Sequence, residues 1–212
     1  MKVTVIIPYK VDRGWLDEAI ASVPSNVQLL VSQGDGNWPS NFNKVLSQAK
    51  GDFIKYLHED DKLTPNCIED SIAAIITQGV DFIHGNAIEF DNHGWHLNWR
   101  PIKKFPTIND MFAKNYIHSV TLMYKREVFE KIGSFSESQE LWSMEEYEFN
   151  LRCLLNGFKI GYCDSFLGYY RRHPSQIIRT VRLSERSKNR HILIKKYYNA
   201  VQKGQPSIHN GY

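Results

Sequence analysis

The chain has 212 residues, a formal net charge of +3, 42% hydrophobic side chains and 23% charged ones. That length suffices for one sizeable core, and the composition is that of an ordinary globular protein. The small positive charge gives no argument for nucleic acid, and no apolar run reaches the length of a membrane span. Cys67, Cys153 and Cys163 lack metal-type spacing and read as reduced thiols. Val3 to Ile7 follows the start with no signal-peptide hydrophobic region, so a cytoplasmic protein is expected.

In chain order, Val3 to Ile7 is a short β-rich run closed by Pro8, and Trp15 to Val23 has helical spacing. Val27 to Val31 reads as a second strand, running into the turn-forming loop Ser32-Gln33-Gly34-Asp35-Gly36-Asn37. Phe42 to Ala49 is a predicted helix and Asp52 to Leu57 a third strand. Strands alternating with helices imply a right-handed, mostly parallel α/β sheet. A helix from Pro65 to Thr77 and a strand from Val80 to His84 continue the rhythm. It then breaks: Ile88 to Trp99, interrupted by Asp91-Asn92-His93-Gly94, predicts a β-hairpin. Further on come a short helix at Ile108 to Ala113, a strand at His118 to Tyr124, and a helix at Arg126 to Lys131 closed by Gly133. A helix from Glu145 to Leu155 and a strand from Phe158 to Cys163 follow. The basic stretch Arg182 to Lys203 is a predicted C-terminal helix, packed through Leu183, Ile192, Ile194 and Tyr197; its alternative role is peripheral contact with anionic lipid headgroups. The expected organisation is a single domain over 1–203, with a tail at 204–212. Within it, 1–90 forms one half, 91–180 the other, and 181–203 the C-terminal helix.

Chemistry concentrates at Tyr56-Leu57-His58-Glu59-Asp60-Asp61, where a strand ends in three consecutive carboxylates. Like charges packed this closely oppose one another's ionisation, and a divalent cation such as Mg²⁺ or Mn²⁺ relieves that conflict with hard oxygen ligands. The carboxyl end of a strand in an open α/β sheet is also where ligands bind. The same residues fit a solvated acidic turn in which Asp61 helps to start the next helix.

Several pieces resemble family 2 glycosyltransferases of the GT-A fold. They are the opening Val-Thr-Val-Ile-Ile-Pro, the Asp-Gly loop after the second strand, and Ala49-Lys50-Gly51-Asp52 ahead of the carboxylates. Val128 to Phe135, Glu145 to Arg152 and Tyr170 to Gln176 extend the likeness in the family's order. The resemblance covers roughly residues 3 to 180 and implies a Rossmann-like sheet flanked by helices, with a smaller irregular acceptor-side section. It also implies an inverting transfer from a nucleotide sugar, most often a UDP-sugar, to an acceptor hydroxyl on a glycan or other molecule.

Carried over by position, the resemblance puts Pro8 and Tyr9 at the floor of the nucleotide site and gives Asp35 the reading of the nucleobase. Glu59 becomes the free middle position of the Asp-x-Asp signature and Asp60 its metal-binding aspartate. Glu146 takes the place of the catalytic base, while His173 lies near the phosphates, where Arg171 and Arg172 help to neutralise charge. His173 is also a candidate partner for the Mn²⁺ or Mg²⁺ held by Asp60. His118, Trp142 and Glu145 are acceptor-side candidates, and Trp38, Trp95 and Trp99 read mainly as packing residues. Three positions depart from the pattern: His58 replaces the first signature aspartate, Glu146 stands where Asp is usual, and the nucleobase loop lacks paired acids.

Glu145, Glu146 and Glu148 also make a favourable acidic first helical turn, and Asp35 also makes a turn. The rival functions are a non-catalytic nucleotide- or sugar-binding module and a nucleotidyltransferase. The latter calls for a Gly-rich basic loop after the first strand, which Pro8-Tyr9-Lys10-Val11-Asp12-Arg13-Gly14 does not supply.

Overall fold

Alternation of side chains across one sheet organises the molecule. The structure, a computed structural model, describes residues 1–202. Strand β1 (Val3–Tyr9) sends Val3, Val5 and Ile7 into one buried cluster and Ile6 into a second on the opposite face. Strand β3 (Phe53–Tyr56) does the same, with Phe53 on the first face and Ile54 and Tyr56 on the second. This period of two is what a strand buried on both faces requires.

Between these strands lie α1 (Leu16–Ala21), β2 (Gln28–Gln33) and α2 (Trp38–Leu46). Helix α2 starts four residues before the expected Phe42, because the Asn37 side chain caps it by accepting from Ser40 N at 3.0 Å and Pro39 suits a first turn. After β3 come the two-residue β4 (Lys62–Leu63), α3 (Cys67–Gln78), β5 (Phe82–Phe90) and β6 (His96–Trp99). The last two form the expected hairpin, turned by Asp91, whose Oδ1 accepts from His93 N and Trp95 N at 2.9 Å each. Helix α4 (Ile108–Ala113) has a capping box made by Thr107 and Asp110. The expected strand from His118 divides into a 3₁₀ turn, Ser119–Thr121, and a short β7 (Met123–Lys125).

Helix α5 (Arg126–Ile132) ends at Gly133, which takes a φ of 78° that favours glycine. A 3₁₀ turn at Gln139–Leu141 leads to α6 (Glu145–Leu155), then β8 (Ile160–Arg171), the four-residue α7 (Ile177–Thr180) and α8 (Leu183–Gln202). The predicted tail and Lys203 lie outside the described residues. Helix α8 packs through Asn189, Leu193 and Tyr197, one face at a spacing of four. Leu183 and Ile192 are exposed, which corrects their expected packing role.

The sheet runs β2-β1-β3-β7-β5-β8-β4, with β6 paired to β5. Strands β1, β2, β3, β5 and β8 share one direction, while β4, β6 and β7 oppose them. Antiparallel β7 lies between β3 and β5, and the strand rhythm breaks earlier, at the β5–β6 hairpin. Among the described residues no helix is long and apolar enough to cross a membrane.

Candidate active site

The carboxyl ends of β1, β2, β3 and β8 open onto one cleft of about 890 Å³. Pro8, Tyr9, Asp35, His58, Glu59, Asp60, His118, Trp142, Glu145, Glu146 and Arg172 all line it, although they come from segments far apart in sequence. The sheet gathers them as the strand-end rule for open α/β sheets requires.

On the β1–β2 side the loop bearing Asp35 is clasped from below. Asn41 Nδ2 donates to the carbonyls of Tyr9 at 2.9 Å and Gly34 at 3.0 Å, and Lys10 Nζ donates to the Asp35 carbonyl at 2.7 Å. A Cβ on Gly34 would lie 2.3 Å from Asn41 Oδ1, so the close fit needs glycine there. The Asp35 side chain is exposed, and no hydrogen bond or ion pair among the described residues engages its carboxylate.

At the end of β3 the acidic run is not a solvated turn: Glu59 is 7% exposed and Asp61 1%. Nor does Asp61 start a helix, since α3 begins at Cys67; its Oδ1 accepts from Arg171 N at 2.9 Å. Burial and the charge of Asp60 push the Asp61 pKa well up, and burial raises that of Glu59. Glu59 is paired with Arg13. Asp60 Oδ2 accepts from His173 Nε2 at 2.8 Å. Burial favours its neutral form, yet the His173 hydrogen bond and the His58 and His173 charges hold the carboxyl below its usual range.

His173 is buried behind Asp60 rather than lining the cleft, with its ring 4.5 Å from Trp15. Its Nδ1 lies 3.2 Å from Ser175 Oγ. An ionised carboxylate is a ligand that Mn²⁺ or Mg²⁺ accepts when substrate phosphates and water complete the shell. His173, whose Nε2 is spent on Asp60 and whose Nδ1 faces Ser175, orients that carboxylate rather than joining it as a ligand, which corrects its expected place in the metal site. Among the described residues, no three or more His, Cys, Asp or Glu side chains are grouped to hold a metal unaided.

Arg172 and Arg171 part company. Arg172 lines the cleft and pairs with Glu89 on β5. Arg171 is 3% exposed and turned away from the cleft. Its guanidinium donates to the Asp60 carbonyl, Asn92 and Glu18 at 2.9, 2.7 and 2.9 Å, and lies against Trp15 and Phe90. It braces the signature loop, so its expected place among the phosphate-neutralising groups is corrected.

The three glutamates of α6 also separate. Glu148 is buried against Arg152, at 2.8 and 3.0 Å, and serves the core. Glu145 is 2% exposed, and burial together with the charge of Glu146 pushes its pKa up to about 8. Glu146 reaches the cleft, where its Oε1 lies 3.2 Å from His58 Nε2. Burial works against a charged His58, but the hydrogen bond and charge of Glu146, with Asp60 and Asp61, raise its pKa to about 10. Just before α6, Ser143 holds a φ of 67°, an uncommon backbone for a residue with a side chain. His118 sits between Trp99 and Tyr170, with centroids 5.1 and 4.6 Å away, and Trp38 stacks on Tyr56 as packing.

Sequence reasoning missed Arg13, Glu89, Tyr170 and Ser143. Arg13 had a usable signal, a cation in the loop after the first strand, but the others are placed by contacts invisible in one dimension.

The model for Glycosyl transferase family 2 matches residues 12–133. A protein of Methanocaldococcus jannaschii described as an uncharacterized glycosyltransferase is 27% identical over 134 residues, which are 61% of this chain and 45% of that protein. The chain thus spans less than half the length of that relative. The structure of TarS residues 1–349 from S. aureus in complex with UDP-GlcNAc matches with a TM-score of 0.70 at 17% identity, over 99% of this chain and 68% of that one. The same fragment with UDP gives 0.63 at 20% identity, over 96% and 72%. At such identities the likeness shows the fold.

Proposed function

The chain belongs to glycosyl transferase family 2, whose model spans more than half of it, and from that premise we propose that it moves a sugar from a UDP-sugar to an acceptor hydroxyl with inversion at the anomeric carbon. One observation carries the reading. An ionised carboxylate at a strand end and a second carboxylate on α6 line the same cleft as the Asp35 loop. In this reading Asp35 accepts from the nucleobase imide, Pro8 and Tyr9 floor the nucleotide, and Arg172 lies toward the diphosphate.

Glu146 accepts the proton of the acceptor hydroxyl as its oxygen attacks the anomeric carbon and the bond to the diphosphate breaks. A positioned base of this kind contributes about 10²- to 10⁴-fold. Asp60, backed by His173, would hold Mn²⁺ or Mg²⁺, and such a cation neutralises charge on a leaving diphosphate. His118, Trp142 and Glu145 lie on the acceptor side, and 1–203 acts as a single domain.

The experiment is calorimetric titration with UDP, GDP, CDP and TDP, each with Mn²⁺ and again with EDTA. UDP binding that EDTA abolishes supports the donor and the cation together. Preference for another diphosphate removes the UDP assignment, and binding by all with no subsequent sugar transfer favours a binding module.

A further inference from the structure

His58 stands where the family pattern has an aspartate, and its contact lies outside that pattern. Its Nε2 meets Glu146 Oε1 at 3.2 Å, tying the end of β3 to the first turn of α6 across 88 residues of sequence. The ring has little freedom to swing. Trp38 meets it edge-on at 5.1 Å and 89°, Tyr56 at 5.4 Å and 73°, and only 18% of the side chain is exposed. Asp60, two residues on, is engaged by a different imidazole, that of His173. Asp60 and Glu146 therefore each have a histidine of their own.

A glutamate has one more rotatable bond than an aspartate, and a base must be held in reach of the proton that it takes. With Oε1 of Glu146 tied down, Oε2 is left for an acceptor. An aspartate at position 58 would stop short of Glu146 and offer it an acceptor in place of a donor.

We propose that His58 is a positioning residue for the base. Its Nε2–H holds one oxygen of Glu146 so that the other faces the acceptor hydroxyl, and it takes no part in holding cation or diphosphate. This rests on the reading of Glu146 as base. On this view the departures at positions 58 and 146 form one device: the longer acid is steadied by a donor in place of a second acid.

Two arms of the test need no turnover. In protein labelled with ¹⁵N-histidine, the His58 Nε2–H should give a proton resonance protected from exchange. That resonance should vanish in Glu146→Ala and persist in EDTA; a His58 signal indifferent to Glu146→Ala overturns the proposal. In calorimetry, His58→Asn should bind UDP with Mn²⁺ as wild type does, and a tenfold weaker affinity would make His58 part of the cation site.

The third arm is hydrolysis of UDP-GlcNAc. In His58→Gln the amide nitrogen reaches the position of Nε2, whereas in His58→Asn it stops at that of Nδ1. Kcat should fall about 100-fold in His58→Asn and His58→Asp, as misplacement of a catalytic group by about an ångström does, and return in His58→Gln with KM unchanged. Wild-type kcat in His58→Asn overturns the proposal. If Glu146→Ala turns over normally, the base reading has failed instead, and the NMR arm still reports the contact.

Discussion

Replacing Arg152 by methionine tests how the helix that carries Glu146 is held. Arg152 is 1% exposed, and its guanidinium donates to both oxygens of Glu148, at 2.8 and 3.0 Å. It also donates to the carbonyls of Ile132 and Ser134, at 2.7 and 2.6 Å. Methionine keeps much of the volume but strands a buried carboxylate and two carbonyls, leaving Glu148 the Tyr197 hydroxyl. Removing one partner of a buried pair costs about 3–5 kcal/mol, which at this chain length lowers Tm by roughly 6–20 °C. The double variant Arg152→Met with Glu148→Leu removes the stranded charge while leaving the carbonyls unpaired. It should be more stable than the single variant by about 1–3 kcal/mol, despite carrying one more change. Equilibrium urea unfolding followed by tryptophan fluorescence measures both. The reasoning fails if the single variant loses less than about 1 kcal/mol, below the range for a broken buried pair. It also fails if the second substitution merely adds to the damage.

Asp60→Ala and Glu146→Gln should each abolish sugar transfer with an unchanged circular dichroism spectrum, and turnover retained in both would undo the assignment of roles. In Gly34→Ala the new methyl displaces Asn41, which loses its hydrogen bonds to the carbonyls of Tyr9 and Gly34, one on β1 and one in the loop that carries Asp35. At about 1 kcal/mol each, UDP affinity should drop by about tenfold or more, and unchanged calorimetry would show that the loop does not contact the nucleotide. Glu145, raised from 4.5 to about 8 by burial and the Glu146 charge, binds its proton more tightly folded than unfolded. Its stabilising contribution is full below pH 4.5 and drains away as pH rises toward 8. Glu145→Gln should flatten that decline in urea titrations across this window, and an equal slope in both proteins would contradict it.

What a single sequence discloses here follows from the range of the forces involved. Strands β1 and β3 were legible because burial on both faces writes a short, nearly continuous apolar run into the residues themselves. Helices α4 and α6 were legible to the residue. Strand β8 was read as ending at Cys163 but continues to Arg171. Gly168 looks like a breaker, yet the side chain of Val120 fills the space where its Cβ would go. The residues of the cleft were named from the family's pattern, but the partners that distinguish them were not. Nothing near His58 announces Glu146, and nothing near Arg171 announces that Glu18 and Asn92 turn it away from the cleft. Lys55 is the extreme case, an ammonium group fully buried in β3 and held by the carbonyls of Val120 and Leu122 at 2.8 and 3.1 Å.

That lysine also bears on how the chain is made. Strand β3 is paired with β1 on one side, but its other neighbour, β7, lies some seventy residues later. While a ribosome is still translating the region between them, β3 has an open edge and Lys55 lacks the two carbonyls that accept from it. An unpaired edge is an invitation to wrong pairing. A charged side chain beside that edge discourages such pairing for as long as it remains in water. The ammonium group that is costly to bury in the finished molecule is thus satisfied only once the turn just ahead of β7, which carries the carbonyls of Val120 and Leu122, has packed on the sheet.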